Sequence, residues 1–155
     1  MLREDFRQQI HFRSIVRLEQ FTPMCPKRNS IMKNFISKIS KDALVSSSVA
    51  LMMQEQYYYS LCPYWYDKFG QKYDTSISRD TPMYMCECYT LEECYHWLIT
   101  EHNFSFEITQ NEGIYHIVVV NCNCVVYKSK RESKCFKTIE EALNKGMEEA
   151  LEFLY

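Results

Sequence analysis

Glycine and proline are scarce, three and four residues out of 155. That excludes collagen-like and linker-like chains, which depend on those residues. Three glycines also leave no Gly-rich phosphate loop. No stretch approaches the ~18 consecutive apolar residues of a membrane-spanning helix. Charge of one sign is lacking too. Eighteen basic side chains face twenty acidic ones, for a net charge of −2 and a sequence pI near 6.1. A balance of this kind argues against a general phosphate-binding surface. The first residues, Met1-Leu2-Arg3-Glu4-Asp5-Phe6-Arg7, hold no apolar core of a secretory signal. The expectation is a cytoplasmic protein that does not enter a membrane.

Aromatic and sulfur-bearing residues are abundant: twelve Tyr, nine Phe and eight Cys. Hydrophobic residues reach 46% and charged residues 25%, the composition of an ordinary globular chain. A chain of this length buries roughly 70% of its unfolded surface, so it folds without disulfides or metal. In a reducing compartment Cys25, Cys62, Cys86, Cys88, Cys94, Cys122, Cys124 and Cys135 are expected as free thiols.

Charge is unevenly spread. Residues 1–30 hold six basic and three acidic side chains, a net +3, so the remaining 125 carry −5. Pro23 and Pro26 break any helix there, because proline lacks the amide donor. Met32-Lys33-Asn34-Phe35 reads like a natural beginning. The organisation expected is a poorly structured basic extension over 1–31, from a start assigned too far upstream, and a single α+β domain over 32–155.

Within 32–155, Ser46 caps a helix expected over about 46–57, with Val49, Ala50, Met52, Met53 and Tyr57 on one face. Phe35–Leu44 reads as a short helical turn or an irregular arm. Cys62 to Asp74 sets Tyr64, Trp65 and Tyr66 on one side of Gly70 and Tyr73 on the other, which predicts a β-hairpin. Its alternation puts Tyr64 and Tyr66 on one face and Trp65 on the other. The density of rings, Tyr57-Tyr58-Tyr59 and Phe69 included, fits core packing first and a protein interface second. Thr75–Pro82 is polar and reads as a loop.

Thr90-Leu91-Glu92-Glu93 is a capping box. It opens a helix over 91–102 whose face is Leu91, Cys94, Tyr95, Leu98, Ile99 and His102. Phe104–Ile108 alternates like a half-buried strand. Ile114–Val120 is a β-branched strand, expected to be covered on both faces near its end. Cys124–Tyr127 returns after a tight turn, and Arg131–Lys134 forms a charged loop. Thr138-Ile139-Glu140-Glu141 is a second capping box before an amphipathic helix over 139–154. Gly146 sits inside that helix at a cost of about 1 kcal/mol relative to Ala, which implies close packing against a neighbour. The fold class is α+β: helix, β-hairpin, helix, three-stranded antiparallel meander and C-terminal helix, with both later helices on one sheet face.

Three segments carry a family resemblance. They are Val45–Asp67, with Ser46, Val49-Ala50, Met53, Glu55 and the aromatic hairpin; Trp97-Leu98-Ile99-Thr100-Glu101-His102-Asn103-Phe104; and Glu140-Glu141-Ala142-Leu143 with Glu148-Glu149-Ala150-Leu151. In this order they resemble a family of small uncharacterised proteins of gut Bacteroidales and their phages, over about residues 32–155. The sequence departs from that pattern at Met83-Tyr84-Met85-Cys86, where an Ala-Pro pair is common. The resemblance implies a phage- or mobile-element-type protein and brings no activity with it.

No motif assigns a catalytic, cofactor-binding or metal-binding residue. Cys86-Glu87-Cys88, Cys94, His96, Cys122-Asn123-Cys124 and Cys135 supply zinc-type ligands, but not with the usual two to four residues between paired cysteines. His96, His102 and His116 pair with no Cys or Ser in a recognisable catalytic arrangement. The element order α-β-β-β-α from residue 91 is that of double-stranded-RNA-binding domains. Glu140 and Glu141 at the last helix start would repel phosphate, whereas Lys128, Lys130, Arg131, Lys134 and Lys137 form a modest basic stretch. The function expected is a non-catalytic protein-binding accessory module, acting on a protein partner or as a homo-oligomer. The alternative is a nucleic-acid-binding accessory protein using the meander and the Lys128–Lys137 loop, an option the charge balance disfavours.

Overall fold

The computed structural model describes residues 34–56, 60 and 62–155. The basic extension, the Met32 start, Cys25 and the Tyr57-Tyr58-Tyr59 run lie outside the described residues. Residues 34–36 are helical and lead through an irregular arm to α1 (Ser47–Glu55). Then follow β1 (Tyr64–Asp67), β2 (Lys72–Asp74), β3 (Tyr84–Glu87), α2 (Leu91–His102), β4 (Phe104–Asn111), β5 (Ile114–Asn121) and β6 (Cys124–Lys128). A 3-10 turn (Ser129–Glu132) and α3 (Ile139–Leu154) complete the chain. The class is α+β, with two antiparallel three-stranded sheets ordered β2-β1-β3 and β4-β5-β6.

Helix boundaries follow local chemistry. The Ser46 side chain accepts from the Val49 amide at 3.4 Å, and the Ser46 amide donates to Asn144 Oδ1 at 2.7 Å, which ties α1 to α3. Thr90 and Glu93 form the reciprocal capping box expected for α2. At α3 only half of the expected box forms. Thr138 Oγ1 accepts from the Glu141 amide at 3.1 Å, but the Glu141 carboxylate accepts from the Lys137 amide, one residue earlier. The first half of the expected charged loop at Arg131–Lys134 belongs to the 3-10 turn, held by the Lys134 amide donating to the Ser129 carbonyl.

β3 was not foreseen. Tyr84-Met85-Cys86-Glu87 carries it. It pairs with β1 through Trp65↔Glu87 and Tyr66↔Cys86, so the expected hairpin becomes a three-stranded sheet. The arm before α1 extends the same surface: the Val45 amide donates to the Tyr89 carbonyl and the Leu91 amide to the Ala43 carbonyl.

The meander turns twice through two-residue loops. Glu112 and Gly113 have φ of 50° and 76°, and Cys122 and Asn123 have 47° and 67°. Two successive positive φ values mark type I′ turns, whose twist suits antiparallel strands. Phe104, Phe106 and Ile108 of β4, Ile117 and Val119 of β5 and Tyr127 of β6 are buried beneath α2 and α3. Tyr95 of α2 meets Phe106 at 5.6 Å between rings. At Gly146 a Cβ would stand 2.5 Å from Ile117 Cδ1 and 3.2 Å from Val119 Cγ2. The α3–β5 approach inferred from that glycine is therefore present. Core side chains from α1, both sheets, α2 and α3 form one cluster.

Candidate functional site

Two surfaces carried the sequence expectations, the aromatic hairpin and the meander with its basic loop. On the hairpin the rings turn inward. Trp65 is 1% exposed. It stacks on Tyr73 at 4.6 Å between ring centroids, lies 5.7 Å from Tyr84, and its indole N–H donates to the Ile77 carbonyl at 3.2 Å. On the opposite face the buried Tyr66 hydroxyl donates to the Val45 carbonyl at 2.7 Å. Alternation thus separates Trp65 from Tyr66 as expected, and both faces are covered. Phe69 at the tip is different, at 83% exposure.

The tip is braced by Asp67, a nearly buried residue. Its carboxylate accepts from the Phe69 amide at 2.8 Å, the Gln71 amide at 2.9 Å and the Tyr73 hydroxyl at 3.2 Å. Burial pushes this carboxyl up, but the Gln71 and Phe69 amides and the Tyr73 hydroxyl outweigh it and hold it below the usual range. A depressed carboxyl contributes stability that is present above its unfolded value and lost as pH falls through the folded one. Stability should therefore drop as the pH is lowered below about 4. Asp67→Asn should weaken the fold at neutral pH and flatten that acid slope, read as urea midpoints along a pH series. An unchanged slope in Asp67→Asn would place the acid sensitivity elsewhere.

The chemical candidates are scattered. Cys86, Cys88 and Cys94 are buried, Cys62 is half-buried, and Cys122, Cys124 and Cys135 are exposed; all seven are free thiols. Burial raises the Cys86 and Cys88 thiols to about 12, with Glu87 adding to it at Cys86 and neighbouring thiols at Cys88. Such thiols are poor nucleophiles at neutral pH. Among the described residues no three His, Cys, Asp or Glu side chains come together to hold a metal ion. His96 lies on the surface of α2, 3.8 Å from Glu92. His102 packs edge-on against Trp97, and burial lowers its pKa despite Glu101. His116 is near Ser129 Oγ at 3.4 Å, a Ser–His pair that the sequence did not reveal. Ser129 is fully buried and takes the Ile117 amide at 3.0 Å, so this hydroxyl closes the end of β6.

The outer face of the meander remains. Both helices cover the inner face, and the outer face near the end of β5, expected to be covered as well, is half-buried. Val118 and Val120 are half-buried and Val125 is 46% exposed. Register organises the face into rows. Glu107 pairs with Val118, and Val118 with Lys128. Ser105 pairs with Val120, and Val120 with Val125. One row therefore reads acid, valine, base across three strands, and the next reads serine, valine, valine.

A β-bulge decides this pattern. The two-residue turn pairs Asn121 with Cys124, and the register slips between Val119 and Val120. Without the slip Tyr127 would stand opposite Val118 on the outer face, and Lys128 would point at the core. The extra residue sends Tyr127 inward and Lys128 outward, since a one-residue shift exchanges the faces.

The basic stretch is partly self-neutralised. Lys134 pairs with Glu132 at 3.0 Å, and Glu140 and Glu141 occupy the first turn of α3. Among the described residues no helix is long and apolar enough to cross a membrane. No family model, curated protein or solved structure matches the chain.

Proposed function

We propose that this chain is a non-catalytic protein-binding module, an accessory protein of the phage or mobile-element type that its family resemblance implies. The observation that carries the proposal is the valine-bearing outer face of the meander, where Val118, Val120 and Val125 lie together on a surface no helix of the described residues covers. β-branched side chains on an open sheet face, rimmed by Glu107, Lys128 and Thr109, have the make-up of an interface with an apolar centre and a polar rim. Among the described residues the histidines lie apart from one another, and Cys86, Cys88 and Cys94 are buried. The nucleic-acid alternative rests on Lys130, Arg131 and Lys134 beside the meander, and the Glu132 pair and the acidic start of α3 weaken it.

A photo-crosslinking residue placed at Val125, in cells that naturally carry the protein, tests the proposal. A discrete protein adduct at position 125, absent from the same probe at the exposed Glu152 of α3, is the expected result. Equal labelling at both positions, or none at 125, overturns it.

A further inference from the structure

We infer that the partner of this face is a second copy of the same chain, the two meanders packing face to face about a two-fold axis that runs along β5. The inference rests on the binding-module proposal and names its occupant. Its basis is the charge order of one row: Glu107 on β4, Val118 on β5 and Lys128 on β6, all in register. A two-fold rotation about the β5 direction carries β4 of one copy over β6 of the other. Glu107 then stands over the second copy's Lys128, and Lys128 over its Glu107. Val118 meets its own image on the axis, and so does Val120. The adjacent row sets Val125 over Ser105. The face is thus self-complementary in charge and in apolar character, as an isologous interface must be. A face whose charges ran in the same sign from β4 to β6 would repel its own image.

Two such sheets pack with their strands within about 30° of each other, which a two-fold axis along β5 provides. Three strands spaced ~4.8 Å apart, and up to eight residues long, give a footprint of roughly 14 by 27 Å. That is below the ~800 Å² per partner of a standard stable interface, so the dimer forms reversibly with rising concentration. Glu107 also holds an interaction within its own chain.

Sedimentation velocity on the full chain over a concentration series is the test. The wild type should pass from monomer to dimer. Glu107→Lys sets Lys over Lys, and Lys128→Glu sets Glu over Glu. By symmetry each change acts twice, and each should weaken the dimer about tenfold. The double variant Glu107→Lys/Lys128→Glu restores opposite charges and should recover wild-type affinity to within about threefold. Both positions are on the surface side of the sheet, and a thermal melt confirms that each variant folds. A wild type that stays monomeric at every concentration overturns the inference, as does a double variant no better than the singles. If the chain is monomeric yet Val125 crosslinks to a different protein, the second-copy inference falls while the binding-module proposal stands. A monomer without crosslinks removes both.

Discussion

Gly146→Leu is expected to lower the melting temperature by about 10 °C, the response of a domain this size to a loss of roughly 3 kcal/mol. Even a methyl group at position 146 would lie 2.5 Å from Ile117 Cδ1 and 3.2 Å from Val119 Cγ2. Both neighbours are fully buried, so neither can swing into solvent. Overpacking of this kind costs about 1–3 kcal/mol and occasionally more, and leucine adds three further carbons to the same gap. Replacing glycine in a helix returns about 1 kcal/mol, which does not offset the clash. Gly146→Ala isolates the mechanism. Its propensity gain opposes contacts with Ile117 and Val119, of which the 2.5 Å approach of Ile117 Cδ1 is the tightest, and Ile117→Val removes that atom. Alone, Ile117→Val should cost about 0.5–1.5 kcal/mol. In the Gly146→Ala background it should cost markedly less, and a double-mutant cycle reads the difference as coupling. Strict additivity would mean that α3 does not bear on β5 at this glycine.

That glycine was legible because a helix interior offers few reasons to keep one. The helices were legible because their signals are local: Thr90 with Glu93, Thr138 with Glu141, and stripes at helical spacing. β3 was not, and its burial explains why. Tyr84 faces Trp65 while Cys86 lies in the core, so both sides of the strand are covered and no polar alternation marks it. β5 failed in the opposite sense. Val118 and Val120 read like Ile117 and Val119, and sequence cannot tell a fully buried valine from a half-buried one. The row Glu107–Val118–Lys128 was invisible for a further reason. It depends on two strand pairings and on a bulge that shifts Lys128 by one position. Counting straight back from the Cys122-Asn123 turn would have assigned the lysine to the core face and Tyr127 to the surface. The outward placement of Lys128 is thus a register decision that the burial of Tyr127 enforces, because leaving that ring outside and a lysine inside is the costlier arrangement.

Trp65→Ala should cost about 3–5 kcal/mol, the usual penalty for removing a fully buried large aromatic side chain. Two losses combine. The stack with Tyr73 disappears and leaves a cavity between β1 and the 75–82 loop, and the Ile77 carbonyl loses its indole donor. That loop is fastened to the sheet at a second place, where Arg79 grips Glu87 through two bonds of 2.7 and 2.9 Å. The Arg79–Glu87 pair is bidentate but only part-buried, whereas Trp65 is 1% exposed and loses far more contact when truncated, so Trp65 is the main anchor. Hydrogen exchange distinguishes local from global damage. In Trp65→Ala the 75–82 amides should exchange faster under native conditions than in the wild type, by a larger factor than those of α3. Trp65→Phe keeps a ring against Tyr73 but cannot donate to Ile77, so it should fall between the two, losing about 1 kcal/mol to the missing hydrogen bond and more to the smaller ring. If Trp65→Ala left the 75–82 exchange unchanged, the loop would be held by Arg79 and Glu87 instead, and Glu87→Gln should then release it.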